Sequence, residues 1–145
     1  MASEKRYMLD TNTASFIIKG HPIEIREHLL RVSMTSVSIS TITEAELLRG
    51  LARKPDAKKL AFAVKEFLLR VEILPWDSAA AKAYAVLRTA CEREGKSLGA
   101  MDMLIGAHAK AQGAVLVSND QAFYNVEHLL ALEDWTKPAD CRNLA

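Results

Sequence analysis

The sequence predicts an α/β fold: a three-layer α/β/α sandwich around a mainly parallel central sheet. Short apolar runs alternate with amphipathic helical patterns from end to end of 145 residues. The run 114–118 is almost continuously apolar, as a strand buried on both faces must be. Acidic residues recur where a predicted strand stops or a helix starts, the places where α/β proteins gather ligands.

Tyr7, Met8 and Leu9 form the first strand, which runs into the polar cluster Asp10-Thr11-Asn12 and the helical pattern of Ala14, Phe16, Ile17 and Ile18. Gly20 is suited to close that helix in the left-handed conformation, and Pro22 to open the next at its first position. Ile25, Leu29 and Val32 mark that helix's buried face. Residues 36–40 alternate polar and apolar, predicting a strand, and 41–50 switch to a helix with Ala45, Leu47 and Leu48 apolar and Glu46 expected in its first turn. Over 56–70, Leu60, Val64, Phe67 and Leu68 recur at helical spacing opposite Lys58, Lys59, Lys65 and Glu66.

Residues 72–76 predict a short strand, and Asp77 caps a long helix through Tyr84 and Leu87 to Gly95. Met101, Leu104, Ile105 and His108 share one face of the following helix, while Asp102, Gly106 and Ala109 form a small-residue stripe permitting close approach. The strand 114–118 ends at Asn119-Asp120, and 129–132 supplies a last edge strand. There is no repeat, low-complexity segment or linker, so residues 1–145 are expected to form one domain.

Half the residues are hydrophobic and 26% are charged, enough for a core that needs neither disulfide nor structural zinc. Cys91 and Cys141 make no CxxC pair and are expected to be free thiols of a reducing cytoplasm. No apolar run approaches the roughly 20 residues that span a bilayer, and Met-Ala-Ser-Glu-Lys-Arg is not a signal-peptide start, so a cytoplasmic protein is expected. A formal net charge of +1 excludes a general polyanion binder and leaves nucleic-acid affinity to local patches.

Asp10, Glu46, Asp102 and Asp120 each have an ordinary role available. Asp10 and Asp120 can cap the helices that follow them, Thr43-x-x-Glu46 matches a capping box, and Asp102 suits the positive end of its helix. Together they suggest one acidic pocket, because Asp10 and Asp120 both follow sheet strands. Two unit charges about 4 Å apart repel by about 4 kcal/mol at an effective dielectric of 20, so clustered carboxylates raise one another's pKa values or take a cation. Oxygen-only ligands favour Mg²⁺ or Mn²⁺. No two histidines have the tight spacing of a zinc site, and His21, His28, His108 and His128 are expected at the surface or core edge. Such an open carboxylate cluster suits phosphodiester hydrolysis, with Asn12 and Ser118 as supporting hydrogen-bond partners or local turn caps. Arg49, Arg53, Lys54, Lys58 and Lys59 form a basic cluster able to follow an RNA backbone, or simply a solvated helix end. The apolar face of Leu60, Val64, Phe67 and Leu68 serves either the core or a partner helix.

Four ordered segments, Met8-Leu9-Asp10-Thr11-Asn12, Ile39 through Leu47, Asp102 through Ala109 and Leu116 through Phe123, together resemble the VapC toxins, the PIN-domain ribonucleases of toxin–antitoxin pairs. The resemblance spans almost the whole chain. It implies that Asp10, Glu46, Asp102 and Asp120 are the metal-binding acids, with Glu46 acting directly or through water and Glu44 facing solvent. It implies an Mg²⁺- or Mn²⁺-dependent endoribonuclease, in some members directed at tRNA. It also implies a homodimer inhibited by a VapB-like antitoxin whose C-terminal segment lies in a groove beside the active site, with operator DNA bound only through that antitoxin. Relatives often begin a few residues before the first aspartate, so part of 1–6 is expected to be foreign to the natural start. Met101 stands where relatives are often polar. Two rivals remain at this point: a binding module with little chemistry of its own, and a receiver-like domain phosphorylated on Asp10, disfavoured by the absence of an acid at position 12 and of a lysine after a late strand.

Overall fold

The structure is a computed structural model and describes residues 4–139, so Cys141 lies outside the described residues. In chain order the elements are β1 (Tyr7–Leu9), α1 (Thr11–Lys19), α2 (Ile23–Leu30), β2 (Val37–Ser40), α3 (Thr41–Ala52), α4 (Lys58–Arg70), β3 (Glu72–Leu74), α5 (Ser78–Arg93), α6 (Ala100–Ala111), β4 (Val115–Val117), α7 (Gln121–Tyr124) and β5 (Leu132–Glu133). The five strands form one sheet in the order β3-β2-β1-β4-β5, with every pairing parallel.

Strand alternation divides the core into two layers. Met8 and Leu116 pair in register and face Leu87, Met103, Ile105 and Phe123 on the α5–α6–α7 side. Leu9 and Val117, the next register pair, face Ile25, Ile39, Leu47, Val64 and Trp135 on the other side, which α1–α4 cover. Both faces are therefore buried, which is why β4 reads as continuously apolar. A β-carbon at Gly106 would meet Phe123 Cε1 at 3.3 Å, so the small-residue stripe of α6 lets the β4–β5 connection pack against it. Gly20 closes α1 with φ of 81°.

Several details differ from the sequence expectation. Pro22 is the cap of α2 rather than its first helical residue. The strand expected over 72–76 stops at Leu74, because Trp76 turns away to donate its backbone N–H to Thr41 Oγ1 (3.2 Å) and its indole N–H to the Leu104 carbonyl (3.0 Å). The last strand is Leu132–Glu133, not 129–132: a 3-10 turn at Glu127–Leu129 first brings the chain beside β4, and pairing begins where Leu116 N–H reaches the Ala131 carbonyl. In α3, Ser40 is the cap, its hydroxyl accepting from Ile42 N–H. Thr43 is inside the helix and buried, so the capping box does not form, and Glu46 belongs to the second turn rather than the first. Glu44 is half-buried rather than fully facing solvent. His108, expected at the surface or core edge, is wholly buried on the inner face of α6.

Candidate metal centre

With β1 between β2 and β4, the chain leaves β1 for β2 on one side and returns to β4 on the other, so the carboxyl ends of β1 and β4 flank the switch point where α/β sheets bind ligands. Asp10 follows β1 there. Its backbone N–H donates to the Val117 carbonyl (3.1 Å), extending the β1–β4 ladder by one residue, and its Oδ1 accepts from Thr13 N–H (2.8 Å) as the cap of α1. Asp120 follows β4 and caps α7, its Oδ1 accepting from Ala122 N–H (2.9 Å). Ser118 links the pair: its hydroxyl oxygen accepts from Asp120 N–H at 3.0 Å, and its hydrogen bonding draws the Asp10 pKa down. Each helix-cap bond engages one carboxylate oxygen, so capping and metal binding are compatible at both positions.

The other two acids arrive on helices. Asp102 is the third residue of α6, where the helix N-terminus favours negative charge. Its Oδ2 lies 3.6 Å from where a β-carbon on Gly99 would stand, so the carboxylate folds back over the start of its own helix. Glu46 projects from α3, and its Oε1 accepts the Thr11 hydroxyl at 2.6 Å. Thr11 also stands 3.4 Å from Thr43 Oγ1, but its single proton is directed by the shorter, charge-assisted bond. Thr11 was not among the candidates from sequence. The available signal was a hydroxyl immediately after the first acid, at the start of a helix.

Electrostatics ties the four acids together. Burial, followed by the charges of Asp120, Asp10 and Glu46, pushes the Asp102 carboxyl up to about 6. Asp10, 3% exposed, is also raised, chiefly by burial and further by Asp120, against the lowering effect of hydrogen bonds from Ser118 and Thr13. Asp102 is the acid that senses all three others. Among the described residues, no three acid, imidazole or thiol side chains close into a ready-made coordination shell. The acids face one another at the longer range over which their charges act. An oxygen-only donor set whose central member has its pKa raised by burial and by three like charges fits a hard divalent cation, which would relieve that repulsion.

Of the supporting residues named from sequence, Ser118 is wholly buried between Asp10 and Asp120, whereas Asn12 is exposed and makes no hydrogen bond to the acids among the described residues. The basic cluster is exposed throughout. Arg49 and Arg53 lie three and seven residues beyond Glu46 and so continue its face of α3 away from the acids. Lys54, Lys58 and Lys59 carry positive charge onward to the start of α4. The described ion pairs involve none of the five. Leu60, Phe67 and Leu68 are partly buried against the core around Val64, so the intramolecular role of that face is realised. Phe62, 67% exposed, extends the same helix into an open apolar groove with Ile17, Ile18, Leu29 and Met34 between α1, α2 and α4.

Known proteins resemble this chain in sequence and in fold. The PIN domain model matches residues 7–129. A tRNA(fMet)-specific endonuclease VapC of Salmonella typhimurium is 33% identical over 130 residues, covering 90% of this chain and 98% of the relative. Ribonuclease VapC2 of Rickettsia felis is 35% identical over 133 residues with the same coverage. Among solved structures, the DNA-bound VapBC complex of Salmonella typhimurium superimposes with a TM-score of 0.81 at 32% identity, covering 91% of this chain and 99% of that one. The promoter-bound VapBC2 complex of Rickettsia felis gives 0.80 at 33% identity, covering 89% and 98%. The chain belongs to the PIN-domain family and, within it, to the VapC ribonuclease toxins.

Proposed function

We propose that this toxin is a divalent-metal-dependent endoribonuclease, acting as one nuclease domain with tRNA as its substrate class. Asp10, Asp102 and Asp120 would hold Mg²⁺ or Mn²⁺ directly, with Glu46 joining them directly or through water. The observation that carries this reading is the placement of Asp10 and Asp120 at the ends of the paired strands β1 and β4, with Asp102 of α6 and Glu46 of α3 close enough that burial and the other three charges raise the Asp102 carboxyl to about 6. A bound divalent ion supplies a water of lowered pKa and stabilises the charge that develops on the scissile phosphate and leaving oxygen.

The chain's own residues do the rest. Ser118 and the α1 and α7 caps hold Asp10 and Asp120 at the sheet edge, and Thr11 orients Glu46 toward them. Arg49 and Arg53, with Lys54, Lys58 and Lys59, offer a phosphate track leading away from Glu46 along α3, so that a single RNA strand reaches the acids while its backbone charge is met. No side chain is needed as nucleophile, and buried Cys91 lies in the α5–α6 core. The tRNA assignment takes its support from the Salmonella and Shigella flexneri relatives, which are named tRNA(fMet)-specific endonucleases.

The toxin is further assigned as a homodimer and as the partner of a VapB-like antitoxin, whose C-terminal segment would occupy the groove between α1, α2 and α4. With a net charge of +1 on the toxin, operator DNA is left to the antitoxin, in keeping with related complexes described as DNA-bound. No helix among the described residues is long and apolar enough to cross a membrane.

The test is antitoxin-free protein incubated with tRNA and Mg²⁺, beside the Asp102→Asn variant. Cleavage by the parent that needs Mg²⁺ and is lost in the variant is the expected result. Equal cleavage by both would leave the acids with structural roles only.

A further inference from the structure

His108 sits in the second half of α6 with its side chain wholly buried, and no step of RNA cleavage needs it. Its Nδ1 lies 2.8 Å from the hydroxyl oxygen of Ser40, which is equally buried and also accepts Ile42 N–H as the cap of α3. Nε2 has no hydrogen-bond partner among the described residues. Counting protons selects the tautomer. If the Ser40 hydroxyl donates to Nδ1, only the Nε2–H is unmet; if the bond is reversed, both the Ser40 proton and the Nε2 lone pair are unmet. The imidazole is therefore neutral and accepts from Ser40, and burial, which lowers its pKa, keeps it neutral. A buried donor without a partner destabilises the fold relative to an apolar side chain of similar size, so packing alone does not account for histidine here. What it adds is the bond to Ser40.

That bond joins the two helices that carry acids. Asp102 precedes His108 by six residues on α6 and Glu46 follows Ser40 by six on α3, about 9 Å along each axis at 1.5 Å per residue. A second bridge runs beside it: Trp76 donates to Thr41 Oγ1 at the start of α3 and to the Leu104 carbonyl, one turn before His108 on α6. Asp10 and Asp120 need no such device, because β1 and β4 are paired directly.

We propose that His108 is a positioning residue for the acid pocket: through Ser40 it fixes α6 against α3 so that Asp102 and Glu46 serve the same divalent ion. The proposal rests on the assignment of those acids to one metal site.

The experiment measures Mn²⁺ binding without RNA and the Mg²⁺ dependence of tRNA cleavage for the parent, His108→Leu, His108→Asn, Ser40→Ala and the Ser40→Ala/His108→Leu double variant, with thermal melts of each. His108→Leu is expected to weaken Mn²⁺ binding about tenfold or more and to raise the half-saturating Mg²⁺ by a similar factor, while kcat at saturating Mg²⁺ stays within about twofold. Asparagine, whose Oδ1 takes the place of Nδ1 as acceptor, restores most of the loss. The double variant is expected to be no worse than Ser40→Ala alone, since that change already removes the bond to His108 together with the α3 cap bond from Ile42 N–H. Unchanged Mn²⁺ binding in His108→Leu, equal impairment in His108→Asn, or losses that multiply in the double variant would each overturn the proposal. If His108→Leu does not fold, His108→Asn against Ser40→Ala decides the matter: binding near the parent's in the first and weakened in the second supports it, and equal binding overturns it. A parent that binds Mn²⁺ no better than Asp102→Asn would instead remove the metal reading itself, and this proposal with it.

Discussion

The acid pocket has a sheet-borne half and a helix-borne half, and the two are held by different means. Asp10 and Asp120 follow adjacent strands, β1 and β4, and each is locked by a hydrogen bond to a backbone N–H two or three residues further on. Asp102 and Glu46 ride on α6 and α3, and their meeting depends on how those helices pack. Backbone pairing makes the first half rigid. The second half can be adjusted by residues remote from the chemistry, and there burial, followed by the charges of the other three acids, raises the Asp102 carboxyl to about 6.

The largest effect that separates the halves is expected at Asp10. Asparagine caps helices as well as aspartate does, so Asp10→Asn should keep its bond to Thr13 N–H and leave Tm nearly unchanged, while RNA cleavage falls by about 100-fold or more. Asp10→Ala should lose the same activity and about 1 kcal/mol of stability as well, measured by denaturant unfolding. Equal stability in the two variants would show that the cap contributes nothing.

A second effect belongs to Asp102 and is read as pH dependence. Its folded-state pKa, about 6, lies above its ordinary value of 3.8, so the native protein binds the proton more tightly than the unfolded chain. In metal-free protein this contribution is fully present below 3.8 and is lost as pH rises through about 6. Melts across that window should show the decline in the parent and a flatter profile in Asp102→Asn. Mg²⁺ should raise Tm more above pH 6 than below it, because the protonated acid must first release its proton. A parent profile with the opposite slope would place the raised pKa elsewhere.

The smallest effect is expected at Thr11. Thr11→Val keeps the side chain's shape and removes the donor to Glu46 Oε1, a partly exposed charge-assisted bond worth about 1 kcal/mol, so half-saturating Mg²⁺ should rise about fivefold with little change in Tm. No change would mean that α3 alone orients Glu46.

The same division explains what could be read from the residues alone. Asp10 and Asp120 were legible because a strand end and the cap after it are local features, visible as an apolar run broken by an acid. The alternation of strands and helices was legible for the same reason, and it carried the sandwich architecture. The turn of Glu46 was not, because Thr43-x-x-Glu46 imitates a capping box while Ser40, at the very end of β2, had already capped the helix with no intervening loop. Thr11 and His108 were missed because their importance lies in partners 35 and 68 residues away. Trp135, 1% exposed, went unremarked for a similar reason: it is buried by Tyr7 and His28 from the far end of the chain, against which its ring lies.

Calorimetric titration of Mn²⁺ into metal-free protein at about pH 6, where Asp102 is half protonated, for the parent and for Asp102→Asn, tests the central claim most directly. If the four acids share one ion with Asp102 at its centre, the parent binds with release of protons, and the Asp102→Asn substitution abolishes binding or weakens it by about 100-fold or more. Equal binding by both proteins, without proton release in the parent, would contradict it.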